Sequence, residues 1–433
     1  MRETVRPCAR LEGDLSLPGD KSISHRAALF NAIAHGQATI THFSTGADCL
    51  STVACLRALG ASIESTSAED GSLRLVVHGR GADALREAES ILDAGNSGTS
   101  TRLLSGLLAS RPFLSIITGD SSLRSRPMGR VIQPLRQMGA QIWGRRGDTQ
   151  APLAIRGGSL KGIRYRMPVA SAQVKSAILI AGLFAEGETE VEEPVSTRDH
   201  TERMFRAMGA DVRTDGSRVT IRPGKLHAVD VDVPGDISAA AFWLVAAAIH
   251  PDARIRVRNV VVNPSRTGVL DVLRAMGARI RQENQREVGG EPVADIVAES
   301  SQLQATEITG DLVPRAIDEI PILAIAAAVA RGTTTIRNAE ELRVKESDRI
   351  RSMAQELDRM GVQVEELPDG MVIHGGARLR GAACQSHGDH RLAMSLAVAG
   401  LVAQDETTID DAEAASISYT SFWQDLRRLA SLP

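Results

Sequence analysis

Apolar residues three apart, closed by a glycine and followed by an extended apolar run, recur five times along this chain. The copies are Leu56-Arg57-Ala58-Leu59-Gly60-Ala61-Ser62-Ile63, Leu135-Arg136-Gln137-Met138-Gly139-Ala140-Gln141-Ile142, Phe205-Arg206-Ala207-Met208-Gly209-Ala210-Asp211-Val212, Leu273-Arg274-Ala275-Met276-Gly277-Ala278-Arg279-Ile280 and Leu357-Asp358-Arg359-Met360-Gly361-Val362-Gln363-Val364. Intervals of about 70–85 residues between them mark a chain built by repetition. Each copy predicts a helix end, because a glycine after the last turn supplies the left-handed residue that closes a helix. The β-branched or apolar residue that follows begins a strand. A second alternating run comes next in Leu73-Arg74-Leu75-Val76-Val77, Val219-Thr220-Ile221 and Met371-Val372-Ile373, and predicts half-buried strands.

The other half of the repeat is an Ala-rich apolar helix that opens from a polar or glycine-containing loop. Six openings are visible: Gly19-Asp20-Lys21-Ser22, Gly95-Asn96-Ser97-Gly98-Thr99, Ser171-Ala172-Gln173, Gly235-Asp236-Ile237-Ser238, Asp318-Glu319-Ile320-Pro321 and Gly388-Asp389-His390-Arg391. After four of them the helix gives way, past a glycine, to a strand-like run: Gly36 to Ile40, Gly187 to Val191, Gly332 to Ile336, and Gly400 with Thr407-Thr408-Ile409. Six α/β repeats follow, the short-helix signature being degenerate in the sixth, near Leu426. A repeat of this length is too long for a solenoid. Six of them over 433 residues fit two domains of three.

Composition narrows the function. Hydrophobic residues make up 43% and charged residues 24%, as in a water-soluble globular chain. Aromatics at 3% leave the cores to Ala, Leu, Ile and Val, and argue against base stacking on single-stranded nucleic acid. The net charge of −3 supplies no basic field for nucleic acid. Cys8, Cys49, Cys55 and Cys384 lack Cys-x-x-Cys spacing and read as buried free thiols of a reducing compartment. Met1 to Gly13 has no apolar stretch of a signal peptide. The longest apolar run, Ala239 to Ile249, is about half a membrane span. A cytoplasmic protein without membrane or nucleic-acid partners is expected.

Helix starts in equivalent places matter because each presents unsatisfied N–H groups and about half a positive charge. Three converging on one face would favour an anion, and two such faces apposed would make an anion-binding cleft. The residue types agree. Lys21, Ser22 and Arg26 lie at the first start, Ser22 and Arg26 being four apart on one face. Asn96, Gly98, Thr99 and Arg102 lie at the second, Ser171, Gln173 and Lys175 at the third, and Arg391 at the sixth. Each start taken singly is also an ordinary N-cap; cations and hydroxyls at several of them turn the balance towards anion binding.

Leu123-Arg124-Ser125-Arg126-Pro127 is a short basic loop. Arg343-Val344-Lys345-Glu346-Ser347-Asp348-Arg349 is a dense mixed run. As a surface helix it would place Lys345 and Arg349 on one face beside Glu346. As a site, its cations would bind an anion while Glu346 moves protons. Asp318 and Glu319 offer acceptors, or caps, before the fifth helix. Gly19-Asp20-Lys21-Ser22 lacks the spacing of a P-loop. His387 and His390 lack a third metal ligand, and there is no Gly-x-Ser-x-Gly elbow.

Taken together these segments resemble the 5-enolpyruvylshikimate-3-phosphate synthase family, enolpyruvyl transferases of the shikimate pathway. The matching segments are Leu17 to Arg26, Gly95 to Thr99, Arg126-Pro127-Met128, Ala170 to Ser176, Arg198-Asp199-His200-Thr201, Leu342 to Arg349 and Gly388 to Arg391. They run in order over nearly the whole chain. The resemblance implies a two-domain inside-out α/β barrel of six repeated α/β units, three per domain. One domain would comprise residues 1–18 plus 236–433 and the other residues 19–235, with the active site in the interdomain cleft. It implies transfer of the enolpyruvyl group of phosphoenolpyruvate to the 5-hydroxyl of shikimate 3-phosphate. Phosphate would leave by addition–elimination through a tetrahedral intermediate. No metal or organic cofactor is implied, and a monomer is expected.

By the same resemblance, Lys21, Ser22, Arg26, Ser171, Gln173, Arg198, Asp318 and Lys345 would contact shikimate 3-phosphate. Lys21, Asn96, Gly98, Arg126, Gln173, Arg349 and Arg391 would contact phosphoenolpyruvate. Asp318, Glu346 and Lys21 would be catalytic: Asp318 takes the proton of the 5-hydroxyl, and Glu346 supplies and removes the methylene proton. Lys345 would hold substrate charge and tune these acids.

Some features depart from the family pattern. Some members carry a Lys shortly before a Thr-Phe pair near the C-terminus, where this chain reads Ser418-Tyr419-Thr420-Ser421-Phe422. Ala172 and Glu341 stand where some members have Ser and Asn. These forms resemble the bacterial class often tolerant of the inhibitor glyphosate, although Gly98 is kept where a well-known tolerant member has Ala. The sister family acting on UDP-N-acetylglucosamine is an alternative; it normally carries Cys or Asp in the loop that is Ser121 to Ser125 here. A non-catalytic repeat protein is another.

Overall fold

The six loop openings each lead into a helix in the computed structural model of the chain, which describes residues 1–68 and 72–430. The helices are α1 (Lys21–Ile33), α2 (Gly98–Leu108), α3 (Ala172–Gly182), α4 (Ile237–Ile249), α5 (Ile320–Val329) and α6 (His390–Gly400). Asp20, Ser97, Ser171, Asp236 and Asp389 cap five of them, each side chain accepting from a backbone N–H of the first turn. All thirteen residues of α4 and all eleven of α6 are buried. A helix apolar all round has to be interior, and within each compact unit three of these helices lie on the inside of its sheets.

The chain divides into two compact units. A central unit spans Gly19–Val233 with Val288–Glu291. A split unit spans Met1–Pro18, Pro234–Glu287 and the described residues from Pro292 on. Each contains three repeats of one plan: inner helix, strand, short outer helix, antiparallel hairpin. In the first repeat α1 leads into the strand His35–Phe43, then the helix Ala47–Ala58, then the strands Ser62–Ser67 and Leu73–Arg80. The hairpin register sets Ile63 opposite Val77, and the parent strand sets Ala38 opposite the same residue. Val231–Asp232 completes the sheet by pairing parallel to Ile40–Thr41. Every inner helix, not four alone, is followed by a strand: α2 by Leu114–Thr118 and α4 by Ala253–Val261.

The repeated glycine does what its position required. Gly60, Gly139, Gly209, Gly277 and Gly361 all have positive φ, between +85° and +111°, and the five short helices end beside them. Gly106 serves a different purpose: a Cβ there would lie 2.3 Å from the carbonyl oxygen of Ala177, so α2 and α3 meet backbone to backbone.

The sixth repeat explains its own degenerate signature. Its outer helix, Phe422–Leu429, has no hairpin after it. The missing strand is supplied by Arg2–Val5 from the chain start, antiparallel to Thr407–Asp410, with Arg2 opposite Asp410. Leu11–Ser16 then pairs parallel to Ala253–Arg258 in the fourth repeat. Leu429 packs against Gly13 of that strand, 2.7 Å from where a Cβ would stand. Among the described residues no helix is long and apolar enough to cross a membrane.

Candidate functional site

The predicted residues of the central unit stand at the first turns of α1, α2 and α3 and in the loops beside them. Lys21 opens α1 and its Nζ lies 2.8 Å from Asp48, the second residue of the helix Ala47–Ala58. One turn further, Arg26 is buried and fixed on three sides. Its Nη1 donates to the carbonyl of Ser22 at 2.9 Å, its Nε to Thr201 Oγ1 at 2.7 Å and its Nη2 to Ser176 Oγ at 2.8 Å. Burial lowers its pKa to about 10, with Glu202 acting against the shift, so it stays cationic at neutral pH.

At the start of α2, Asn96 links two charges. Its amide donates to Asp120 at 2.6 Å, and its carbonyl oxygen accepts from Arg126 Nη2 at 2.6 Å. Gly98 is the first residue of α2; a Cβ on it would stand 2.7 Å from Arg102 Nη1 and 3.3 Å from Arg126 Nη1. Gln173 of α3 accepts from Arg102 and donates to Thr99 Oγ1 at 2.9 Å. Ser171 caps α3, its hydroxyl accepting from Val174 N. Arg198 lies in the loop before the helix His200–Ala207, where its charge acts on Arg26.

Lys175 does not do what its place near a helix start suggested. It is 1% exposed and turned away from solvent onto Glu193 and Glu202, at 2.8 and 2.7 Å. Burial would lower its pKa, but the two carboxylates outweigh it and raise it. Residue type and position could not reveal this, because both partners lie in later segments.

In the split unit the predicted residues gather around one guanidinium. Arg349, 2% exposed, donates from Nε to Asp389 at 2.8 Å and from Nη2 to Glu346 at 2.7 Å. Its Nη1 stands 3.4 Å from Asp318, and Lys345 Nζ stands 3.6 Å from the same carboxylate. Burial opposes the charge of Arg349, yet Asp389 and Glu346 hold its pKa above the ordinary arginine value. Asp389 is itself pulled below the carboxylate range, Arg349 overcoming the burial that would raise it. The run Arg343 to Arg349 is therefore not one helix. Glu340–Val344 forms a tight turn, Lys345 to Asp348 are extended or bent, and the helix Arg349–Arg359 starts at its last residue. That break lets Glu346 reach Arg349 while Lys345 reaches Asp318.

Arg391, in the first turn of α6, lies 3.6 Å from Glu319 Oε1. Glu319 also accepts from Ser238 Oγ of α4, which in turn accepts from Arg266 at 2.7 Å. Glu319 was read from the sequence as an acceptor or cap, whereas Asp48, Thr201, Ser176 and Arg266 went unselected by sequence reasoning. Asp48 at a helix start carried a weak local signal; Thr201 and Ser176 carried none beyond their motifs. Among the described residues no three His, Cys, Asp or Glu side chains are placed to hold a metal; His387 pairs with Glu356 instead, at 2.9 Å.

Within the split unit, where Arg349 and Arg391 stand at helix starts beside carboxylates, two opposed requirements meet. Cations at helix starts favour anionic ligands. Carboxylates held against a buried arginine can exchange protons once that arginine's charge is engaged elsewhere. The arrangement suits chemistry on a polyanion that needs both an acid and a base.

Comparison with known proteins narrows this. A family model described as EPSP synthase (3-phosphoshikimate 1-carboxyvinyltransferase) matches residues 5–426. The chain is 54% identical, over 98% of its length and 98% of the relative's, to a 3-phosphoshikimate 1-carboxyvinyltransferase of Herpetosiphon aurantiacus. It is 57% identical to that of Synechococcus elongatus, over 97% of this chain and 94% of the relative. Among solved structures, an EPSP synthase from Acinetobacter baumannii superposes with a TM-score of 0.87 at 46% identity, covering 99% of this chain and 98% of that one.

Proposed function

The chain belongs to the EPSP synthase family, and from that premise we propose that it transfers the enolpyruvyl group of phosphoenolpyruvate to the 5-hydroxyl of shikimate 3-phosphate, releasing phosphate. The observation that carries the reading is the convergence of Asp318 and Glu346 on the buried Arg349, with Lys345 against the same Asp318. Both substrates carry a phosphate and a carboxylate, and the cations at the helix starts match that charge. The reading requires residues of both units to act on one pair of substrates.

In the addition step the 5-hydroxyl oxygen bonds to C2 of phosphoenolpyruvate. Its proton passes to Asp318, while Glu346 gives a proton to the methylene carbon. In the elimination step Glu346 takes a proton back from the new methyl group as the C2–O bond to phosphate breaks. Glu346 must carry a proton to begin. Its contact with Arg349 at 2.7 Å favours the carboxylate form. A substrate anion on Arg349 offsets that field and permits protonation. Lys21, Arg126 and Arg391 hold phosphoenolpyruvate with Asn96, Gly98 and Gln173. Ser22, Arg26, Ser171, Gln173 and Arg198 hold shikimate 3-phosphate.

Phosphate release is the test. Wild type should release phosphate with shikimate 3-phosphate and not with UDP-N-acetylglucosamine; the reverse pattern would sink the reading. Glu346→Gln and Asp318→Ala should each lower kcat by about 10²–10⁴-fold, with shikimate 3-phosphate binding largely kept. Unchanged kcat would remove both residues from the mechanism.

The proposal extends to the glyphosate-tolerant class, supported by the segment Ser171 to Ser176 and by Glu341. An inhibition constant far below the KM for phosphoenolpyruvate would overturn that extension. It extends also to a monomer in a reducing compartment such as the cytoplasm, the latter supported by four unpaired cysteines; sedimentation reads the former.

A further inference from the structure

Arg26 and Arg198 have no helix of their own in common. Arg26 is on α1, and Arg198 lies in the irregular stretch between the strand Thr189–Glu192 and the helix His200–Ala207. What joins this stretch to α3 is a buried ion triad that the reaction does not use. Lys175 Nζ reaches Glu193 Oε2 at 2.8 Å, at the start of the stretch, and Glu202 Oε1 at 2.7 Å, just after it. It also donates to the carbonyl of Thr197 at 3.5 Å, one residue before Arg198. Glu193 returns along the stretch, accepting from Thr197 at both its backbone N–H and its hydroxyl. The side chains of Lys175, Glu193 and Glu202 are 1%, 3% and 2% exposed.

An ion triad so deeply buried is poor evidence for stability, since apolar residues of similar size usually serve as well or better. Geometry gives it another use. The next residue on α3, Ser176, and the residue before Glu202, Thr201, together hold the guanidinium of Arg26. The charge of Glu202 also bears on Arg26, partly offsetting its burial. One end of the triad thus fixes the loop of Arg198 and the other the cradle of Arg26.

We propose that Lys175 is a positioning residue for shikimate 3-phosphate, clamping the Glu193–Asp199 stretch so that Arg198 and Arg26 are set for the same ligand. This rests on the function proposed above. Lys175 touches no substrate; its effect passes through the two arginines. Its raised pKa keeps the clamp charged through the neutral range.

Lys175→Met alone would leave two buried carboxylates without their cation and could prevent folding. The test therefore uses Glu193→Gln, and the charge-balanced triple variant Lys175→Met/Glu193→Gln/Glu202→Gln, beside wild type. Calorimetry gives the Kd of shikimate 3-phosphate, and steady-state kinetics give kcat and both KM values. Both variants should bind shikimate 3-phosphate about tenfold or more weakly, with kcat at saturation and the KM for phosphoenolpyruvate within about twofold of wild type. A folded triple variant with unchanged Kd overturns the proposal. So does an equal loss for both substrates, which marks a general structural role. Wild type that binds no shikimate 3-phosphate would instead refute the underlying function.

Discussion

Arg349 shows how one side chain organises a site. Three carboxylates share it, and Asp389 holds it through two donors, Nε at 2.8 Å and Nη2 at 3.3 Å. The motifs containing these residues were legible, because each is local. Their partners were not: Arg26 meets Thr201 across 175 positions and Arg349 meets Asp389 across 40. Gly98 offers a direct test at this scale. Gly98→Ala should push Arg102 and Arg126 apart, raising the KM for phosphoenolpyruvate several-fold with a smaller change in kcat, as measured by steady-state kinetics. Charge offers another. His25 donates to or accepts from Thr52 at 2.7 Å, and burial lowers its pKa from 6.5 to about 3. The unfolded chain therefore binds a proton that the folded one refuses between those values. Stability is complete above pH 6.5 and falls as pH drops towards 3, with a slope of up to about 1.4 kcal/mol per pH unit from this group. His25→Gln should flatten that part of the pH profile in denaturant unfolding.

Helices were the best-read elements, since the chemistry that starts and stops them sits within a few residues. Asp20, Ser97, Ser171, Asp236 and Asp389 precede the apolar runs of inner helices, and the repeated glycines follow the short outer ones. The segment before Arg349 was harder. Its charges suit a helix, but the segment divides into a tight turn, Glu340–Val344, and the start of a helix at Arg349, capped by Asp348. Close approach between elements was invisible for a different reason: Gly106 looks like any glycine in an Ala-rich helix until Ala177 is found against it. Gly106→Ala should force α2 and α3 apart, because the atom in the way is backbone and cannot rotate aside. Loss of about 1–3 kcal/mol is expected from overpacking of this kind, read as a lower Tm.

For the whole molecule, six repeats gave the architecture, while the manner of closure was not readable from any one of them. The sixth sheet needs a strand that its own repeat does not encode, and Arg2–Val5 provides it. Deleting residues 1–9 should uncover Thr407–Asp410 along one edge and lower the denaturant midpoint markedly, whereas a deletion within an exposed hairpin tip should not.

The pairing of Arg2 with Asp410 spans 408 positions, and this sets an order of assembly. On a ribosome the first strand emerges with nothing to pair with, and waits until almost the entire chain has followed. Residues 19–233 meet no such delay, since nearly all their partners come from within that stretch. Long-range closure is slow and leaves strand edges exposed meanwhile. Pulse-labelled hydrogen exchange during refolding should find the amides of Ile40 and Val77 protected before those of Thr4 and Ile409. The two ends of the chain would then be the last parts to become native, and the stage at which aggregation competes with success.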